Sequence, residues 1–196
     1  MSGAMLERRA ATARLLKDRG DALVVTGLGS TTYDAFAAGD SPLTFYLWGA
    51  MGGAAMVGLG VALAQPRRRV VVITGDGEML MGLGSLATIG VRRPRNLSVV
   101  VIDNGLYAET GMQRTHTALG VDLAGIARAS GFAVAETVRT QAELDVFERS
   151  LYGAPGPLFA AIKVAPEPTK IELAPRDGPY LRSRFRETLL GDASHR

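Results

Sequence analysis

The chain has 196 residues, of which 47% are hydrophobic and 21% are charged, a balance typical of one globular domain with a buried core. It contains no cysteine, which excludes disulfides, thiolate zinc sites, iron–sulfur clusters and cysteine nucleophiles. The net charge of +3 comes from scattered basic residues without interleaved aromatics, so nucleic-acid binding is not expected.

The first segment of the chain is too charged for a signal peptide, and no later stretch has the roughly 20 apolar residues that span a bilayer. We therefore expect a cytoplasmic protein without a membrane segment. The apolar and charged positions from 5 to 17 predict a helix that is ended by Gly20.

Three later segments share one pattern, in which a short β-branched strand runs into a polar, glycine-containing turn. The strands are predicted at 22–26, 70–74 and 97–102, and their turns at 27–32, 75–77 and 103–105. Helices are predicted after the first turn and, through residue 89, after the second. The remaining predicted elements are a helix at 122–130, a strand at 132–135, a helix at 141–150, a strand at 157–164 and a helix at 181–190.

These strands are apolar without alternation and are separated by helices, as in a parallel sheet that is covered on both faces. The predicted fold class is therefore α/β, a three-layer, doubly wound parallel sheet. Ligands of such sheets bind beyond the carboxyl ends of the strands, so one pocket is expected to collect all three turns. We assign residues 1–164 to this domain, and residues 165–196 to a C-terminal arm and short helix of the same unit.

The second and third turns carry residue types that suit a metal and a phosphate group. Asp76 and Asn104 offer oxygen ligands of the kind that Mg²⁺ prefers. Gly75 and Gly77 allow the backbone to approach a diphosphate, and the helix that follows presents free N–H groups. Taken alone, however, a Gly-Asp-Gly turn after a strand is common in proteins that bind no metal.

The spacing of these residues, with 26 positions between Gly77 and Asn104, resembles the cofactor signature of thiamine diphosphate-dependent enzymes. The resemblance implies the thiamine diphosphate-binding (PP) module of that family. It also implies that Asp76, Asn104 and the main-chain carbonyl of Leu106 bind Mg²⁺, which bridges to the diphosphate of the cofactor.

Residues beside the signature complete the expected cofactor site. Gly29 and Ser30 lie where the family supplies hydroxyl or backbone contacts to the diphosphate, although serine is also a common helix cap. Glu78 is expected to offer its backbone N–H to the phosphate, because its side chain has the wrong charge for that contact. The resemblance also assigns Tyr107, which follows the metal-binding turn, to the cofactor site.

A second segment, at 48–53, supports the same family independently. Met51 lies 25 residues before Asp76, where the family has a bulky apolar residue that bends the cofactor into a V shape. The bend brings the 4′-imino group beside the thiazolium C2 carbon, so Met51 is counted with the catalytic residues. The Gly49 carbonyl would accept a hydrogen bond from the aminopyrimidine. Without this context, Met51 would be interpreted as a core methionine.

Within the family, the chain is most similar to the sulfopyruvate and phosphonopyruvate decarboxylase group. The segments GDGEMLMGLGSLATIG, DNGLYAETGMQ and RDGPYLRSRFRETLLG carry this similarity, and the length resembles that of the smaller subunit of the two-subunit form. The resemblance implies a lyase subunit that acts on a small 2-oxo acid.

The stretch after the metal-binding turn is expected to overhang the pocket. Gln113 and His116 are the candidates for substrate contact or proton transfer, since histidine titrates near neutral pH. Arg114 is a candidate for binding a substrate anion, but some relatives have proline there, so the substrate stays open. An exposed polar loop is the alternative interpretation of all three residues.

The activating glutamate of the family lies on a separate pyrimidine-binding domain, for which the chain has no room. We expect a partner subunit to supply it, in a hetero-oligomer built on dimers, and no turnover by the chain alone. Carboligation or 2-hydroxyacyl cleavage is an alternative reaction, and a non-catalytic regulatory subunit is an alternative role. A nucleotide-binding domain is disfavoured, because the chain lacks a dinucleotide fingerprint and a phosphate-loop lysine.

Overall fold

The computed structural model of the chain describes residues 5–166 and 170–195. Its parallel sheet has six strands in the order β2-β1-β3-β4-β8-β7, and a small antiparallel hairpin, β5-β6, lies apart from it. The strands are β1 Leu23–Thr26, β2 Thr44–Tyr46, β3 Val70–Gly75, β4 Leu97–Asp103, β5 Leu106–Tyr107, β6 Gln113–Arg114, β7 Val134–Val138 and β8 Leu158–Lys163. The α-helices are α1 Arg8–Lys17, α2 Ser30–Ala37, α3 Ala54–Ala64, α4 Asp76–Met81, α5 Gly84–Arg92, α6 Leu123–Ala129, α7 Gln141–Gly153 and α8 Gly178–Leu190, and 3-10 helices lie at His116–Leu119 and Gly191–His195.

The central strands are buried along their length because successive side chains enter two different apolar layers. In β3, Val70 and Val72 pack with side chains of α3, α5 and α6, whereas Val71 and Ile73 pack with those of α1, α2 and α7. The sheet is therefore covered on both faces, which explains the absence of alternation in the sequence. The predicted three-layer parallel α/β fold is confirmed.

Some elements differ from the sequence prediction. The strand β7 begins two residues later than predicted and continues through Glu136 and Thr137, which are half-buried because β7 is an edge strand. The helix α3 was not predicted, since all of its residues are apolar or glycine and give no helical periodicity. The single helix predicted after β3 is divided into α4 and α5 at Gly82, where a Cβ would lie 2.1 Å from the Gly52 carbonyl oxygen.

The C-terminal arm packs on the same sheet as the rest of the chain. The helix α8 begins at Gly178, before the predicted start, and the side chain of its N-cap residue Asp177 accepts a hydrogen bond from the Tyr180 N–H at 3.0 Å. It packs Phe185 against Phe45 of the edge strand β2. The predicted division at residue 164 stays a prediction, and residues 1–4, 167–169 and 196 of the two predicted regions lie outside the described residues.

Across the described ranges, no helix combines the length and the apolar character needed to cross a membrane.

Gly90→Ala is expected to destabilise the fold by about 1–3 kcal/mol, because overpacking at a close contact costs this amount. An added Cβ would lie 1.6 Å from the Ser130 carbonyl oxygen at the end of α6. Gly84→Ala, in the same helix, is the control: beyond its chain neighbours and the backbone of its own helix, no described atom lies within 4 Å of its added Cβ, so stability is retained or rises by up to about 1 kcal/mol. Urea unfolding measures both, and equal midpoints would contradict the close approach of α5 and α6.

Candidate functional site

The turns after β1, β3 and β4 meet at one edge of the sheet and surround a cavity of about 90 Å³. These strands are parallel neighbours, so their carboxyl ends lie side by side. Most of the cofactor residues expected from the sequence line this cavity. They are Ser30, Met51, Gly75, Asp76, Gly77, Glu78, Asn104, Leu106 and Tyr107.

Asp76, the first residue of α4, is a buried carboxylate that lines the cavity. Its Oδ2 accepts a hydrogen bond from the Thr115 hydroxyl at 2.5 Å, and the Thr117 hydroxyl lies 3.2 Å from the same atom. Burial raises the pKa of Asp76, and the nearby negative charge of Asp103 raises it further. The hydrogen bond from Thr115 acts in the opposite direction and lowers this pKa. No cationic side chain of the described residues forms an ion pair with Asp76. A metal ion would supply the missing positive charge, so the site fits the expected Mg²⁺.

The position of Asp76 is fixed from behind by a chain of polar side chains. Thr117 lies 2.8 Å from Oδ1 of Asp103, and Asp103 pairs with Lys163, its neighbour in the register of β4 and β8. Sequence reasoning missed Thr115, Thr117 and Lys163. Asp103 and Lys163 could have been singled out, because each is a charged residue at the end of an apolar strand. Threonines in a loop are common, so Thr115 and Thr117 could not.

The turn after β4 places at the cavity the two other residues that are expected to offer oxygen ligands. Asn104 Oδ1 accepts a hydrogen bond from the Leu106 N–H at 3.0 Å, and Gly105 between them has a φ of +72°. A carboxylate, an amide oxygen and a backbone carbonyl form a hard donor set. The described residues contain no group of three or more acidic, histidine or cysteine side chains placed to hold a metal. A site with one carboxylate suits Mg²⁺, which keeps water and phosphate ligands.

The start of α2 supplies groups for an anion. Gly29 has a φ of +74° and precedes Ser30, whose backbone N–H belongs to the first turn of the helix. The Thr31 hydroxyl is 3.3 Å from a carbonyl oxygen of the preceding turn, whereas the Ser30 hydroxyl has no hydrogen-bond partner among the described residues. The carboxylate of Glu109 lies beside this turn, where a Cβ at Gly29 would be 2.8 Å from its Oε1. The chain thus places one of its own anions at the positive end of α2.

The Glu78 side chain holds two turns of the site together. Its Oε2 accepts hydrogen bonds from the Thr74 hydroxyl at 2.8 Å and from the Leu28 N–H at 3.1 Å. A Cβ at Gly27 would lie 1.6 Å from Oε2, so the backbone passes directly over the carboxylate. Burial raises the pKa of Glu78, and these hydrogen bonds oppose the rise. The contact of the Glu78 N–H with a phosphate stays a prediction.

Met51 lines the cavity with 40% of its surface exposed, in the turn between β2 and α3. Gly49, two residues before it, has a φ of +73° and is exposed, but it is not a lining residue. Trp48 anchors this turn, since its indole N–H donates to the Pro175 carbonyl at 2.7 Å. The expected roles of Met51 and Gly49 toward a cofactor stay predictions.

The three polar residues expected above the pocket are exposed, in the hairpin and in the 3-10 turn after it. The Gln113 amide donates to the Thr110 carbonyl at 3.0 Å, and Arg114 donates to the Ala118 carbonyl at 2.5 Å. His116 is the first residue of the 3-10 turn. Within the described chain none of the three lines the cavity, so their roles with a substrate stay predictions.

The cofactor signature lies inside a match to a protein family. Residues 27–162 match the family described as thiamine pyrophosphate enzyme, C-terminal TPP binding domain. The match includes the three turns that form the cavity.

Individual relatives agree with the family match. The chain is 39% identical to subunit beta of the sulfopyruvate decarboxylase of Methanothermobacter thermautotrophicus, over 95% of this chain and 97% of the relative. It is 41% identical to the phosphonopyruvate decarboxylase of Streptomyces viridochromogenes, over 84% of this chain but only 41% of that longer relative. An X-ray structure described as a candidate thiamin diphosphate-dependent enzyme of Mycobacterium smegmatis superimposes with a TM-score of 0.71 at 26% identity, over 83% of this chain and 32% of that one.

Thr115→Val is expected to weaken Mg²⁺ binding by about 10- to 100-fold, because the Asp76 carboxylate loses the hydroxyl that orients it. The measurement is a calorimetric titration with Mg²⁺ and thiamine diphosphate. Thr44→Val is the matched control, since it removes a buried hydroxyl that is bonded to Arg19 at the other end of the sheet. An unchanged Mg²⁺ affinity in Thr115→Val would contradict its role in positioning Asp76.

Proposed function

Since the chain belongs to the thiamine pyrophosphate enzyme family, whose C-terminal cofactor-binding domain it matches, we propose that it is the diphosphate- and Mg²⁺-binding subunit of a two-subunit 2-oxo acid decarboxylase. The observation that carries the proposal is the buried carboxylate of Asp76, which has hydroxyl donors but no cationic partner among the described residues. The names of the relatives suggest a substrate of the sulfopyruvate or phosphonopyruvate type.

The proposed division of labour follows from the cavity. Asp76, Asn104 and the carbonyl of Leu106 hold Mg²⁺, while Ser30 and the start of α2 hold the diphosphate. Bound thiamine diphosphate supplies the electron sink for breaking the bond between the carbonyl carbon and the carboxylate of a 2-oxo acid. Met51 supports the bent shape of the cofactor. These residues fix the charged end of the cofactor and exclude water from it.

A partner subunit is required to complete the site. The cavity of about 90 Å³ is small beside the roughly 300–1,000 Å³ of small-molecule sites, so this chain encloses only part of the cofactor. The helix α3 has no polar side chain and exposes 43% of Met56 and 45% of Leu63. An apolar helix face of this kind is typical of a surface that another protein covers.

We infer that this partner supplies the activating glutamate, in a cytoplasmic hetero-oligomer built on dimers. Gln113, Arg114 and His116 lie on exposed segments in this chain, so any contact with substrate depends on the assembled complex.

The proposed reaction is tested on the chain purified together with its partner. Release of CO₂ from sulfopyruvate or phosphonopyruvate is expected only with the partner, thiamine diphosphate and Mg²⁺ present. Asp76→Ala is expected to abolish this activity, because the metal loses its charged ligand. Asp18→Ala, at an exposed position after α1, is the control and retains activity. Full activity of the chain alone, or of Asp76→Ala in the complex, would refute the proposal, and condensation products in place of an aldehyde would identify a carboligase.

The partner surface is tested separately. Leu63→Glu is expected to weaken binding of the partner by about 100-fold or more, because an unpaired charge would be buried in the interface. Val146→Glu, at a position 52% exposed on the opposite face of the sheet, is the matched control. Sedimentation analysis of the mixed subunits measures both variants. Equal dissociation of the two would show that the α3 face is not the interface.

A further inference from the structure

A buried ion pair links α1 to α2 beside the cavity. Arg8 is 8% exposed and Asp34 is wholly buried, and Nε of Arg8 lies 2.7 Å from Oδ2 of Asp34. These two atoms are close but not aligned, and neither has a hydrogen-bond partner among the described residues. The pair therefore leaves hydrogen-bonding capacity of the Arg8 guanidinium unused.

Arg9 adds a second guanidinium to the Arg8–Asp34 pair, so these three side chains together carry a net positive charge. Arg9 forms its own hydrogen bond to Asp34, from Nε to Oδ1 at 3.1 Å, so two guanidinium groups share one carboxylate. In the described part of the chain Arg8 has no second ion pair. A buried charge in excess is unfavourable unless an ion of the opposite sign comes close to it.

Arg8 lines the same cavity as Ser30 and Thr31 of the first turn of α2. A guanidinium and the positive end of an eight-residue helix therefore meet in one small space, which favours an anion. The anion that the chain itself places there is the exposed carboxylate of Glu109. We propose that Arg8 is a further ligand of the cofactor diphosphate, and this role rests on the function proposed above. It brings a residue of the first helix to a site otherwise built from the three turns.

A diphosphate fits this place better than a substrate anion. Asp76 and Asn104 line the same cavity of about 90 Å³, so a diphosphate held there by Mg²⁺ would share this cavity with Arg8. The planar fork of an arginine also matches two phosphate oxygens at once. Arg8 is paired with Asp34, and the acidic side chains that line the cavity form no further ion pair with it among the described contacts, so its unused hydrogen-bonding capacity is available to a ligand.

The test compares cofactor binding with substrate binding, in the complex with the partner subunit. Arg8→Gln is expected to raise the Kd for thiamine diphosphate by about tenfold or more at saturating Mg²⁺, as measured by calorimetry. The KM for the 2-oxo acid at saturating cofactor is expected to stay unchanged. Arg8→Lys is expected to recover part of the affinity, because it keeps the charge but loses the fork.

Two further variants separate binding from folding. Arg9→Gln removes the other partner of Asp34 without removing a lining residue, so its Kd is expected to equal that of the wild type. The double variant Arg8→Gln/Asp34→Asn removes both buried charges, and so remains testable where Arg8→Gln alone unfolds. It is expected to bind the cofactor as weakly as Arg8→Gln.

The outcomes distinguish the inference from the proposed function. A wild-type Kd in the double variant would assign Arg8 to the fold alone, and a raised KM at an unchanged Kd would assign it to the substrate. Either result overturns the inference while the decarboxylase activity of the wild-type complex stands. A wild-type complex that binds no thiamine diphosphate refutes the proposed function and the role of Arg8 together.

Discussion

The parallel register of β1, β3 and β4 is the constraint on which the site depends, because it brings three turns from distant parts of the chain to one edge of the sheet. Each turn contributes a different component: the positive end of α2, the carboxylate of Asp76, and the amide of Asn104. The strands are buried on both faces, so a slip of one residue would reverse every side chain between the two apolar layers. The core that holds the strands in register thereby also sets the spacing of the ligands.

The buried carboxylates at this edge are compensated in different ways, and the differences indicate their roles. Asp103 pairs with Lys163, and Glu78 accepts hydrogen bonds from Thr74 and from a backbone N–H. Asp76 accepts hydrogen bonds but has no cationic partner among the described residues, and the like charge of Asp103 lies nearby, so its burial is unfavourable in the chain by itself. A divalent cation would remove this cost. Neither Asp76 nor Glu78 has a cationic partner among the described residues, but the charge of Asp103 acts on Asp76, which makes Asp76 the better candidate for a cation.

Much of the fold and part of the site were predictable from the sequence, because apolar strands and glycine-containing turns are local signals. Asp76 and Asn104 follow strands directly, so their meeting at one edge follows from the parallel topology. Residues that reach the site from other elements carry no such signal, since their approach depends on how helices and loops pack. Those residues are Arg8, Thr115 and Thr117. The helix α3 was missed for a related reason: a uniformly apolar segment has no period that marks a face.

The proposed division of the cofactor site between subunits agrees with the chemistry of the cofactor itself. A diphosphate with its metal is strongly charged and needs fixed, buried partners, which this chain supplies around a cavity of about 90 Å³. The two rings need apolar cover instead, and here the chain offers an open surface, with Met51 exposed by 40% and the apolar face of α3 nearby in sequence. An apolar ring that is covered on one side has its other side in water. Covering that side with a second apolar surface makes binding of the ring more favourable, because more apolar area is buried. In the proposed complex the same closure covers α3, so assembly of the subunits would be coupled to binding of the rings.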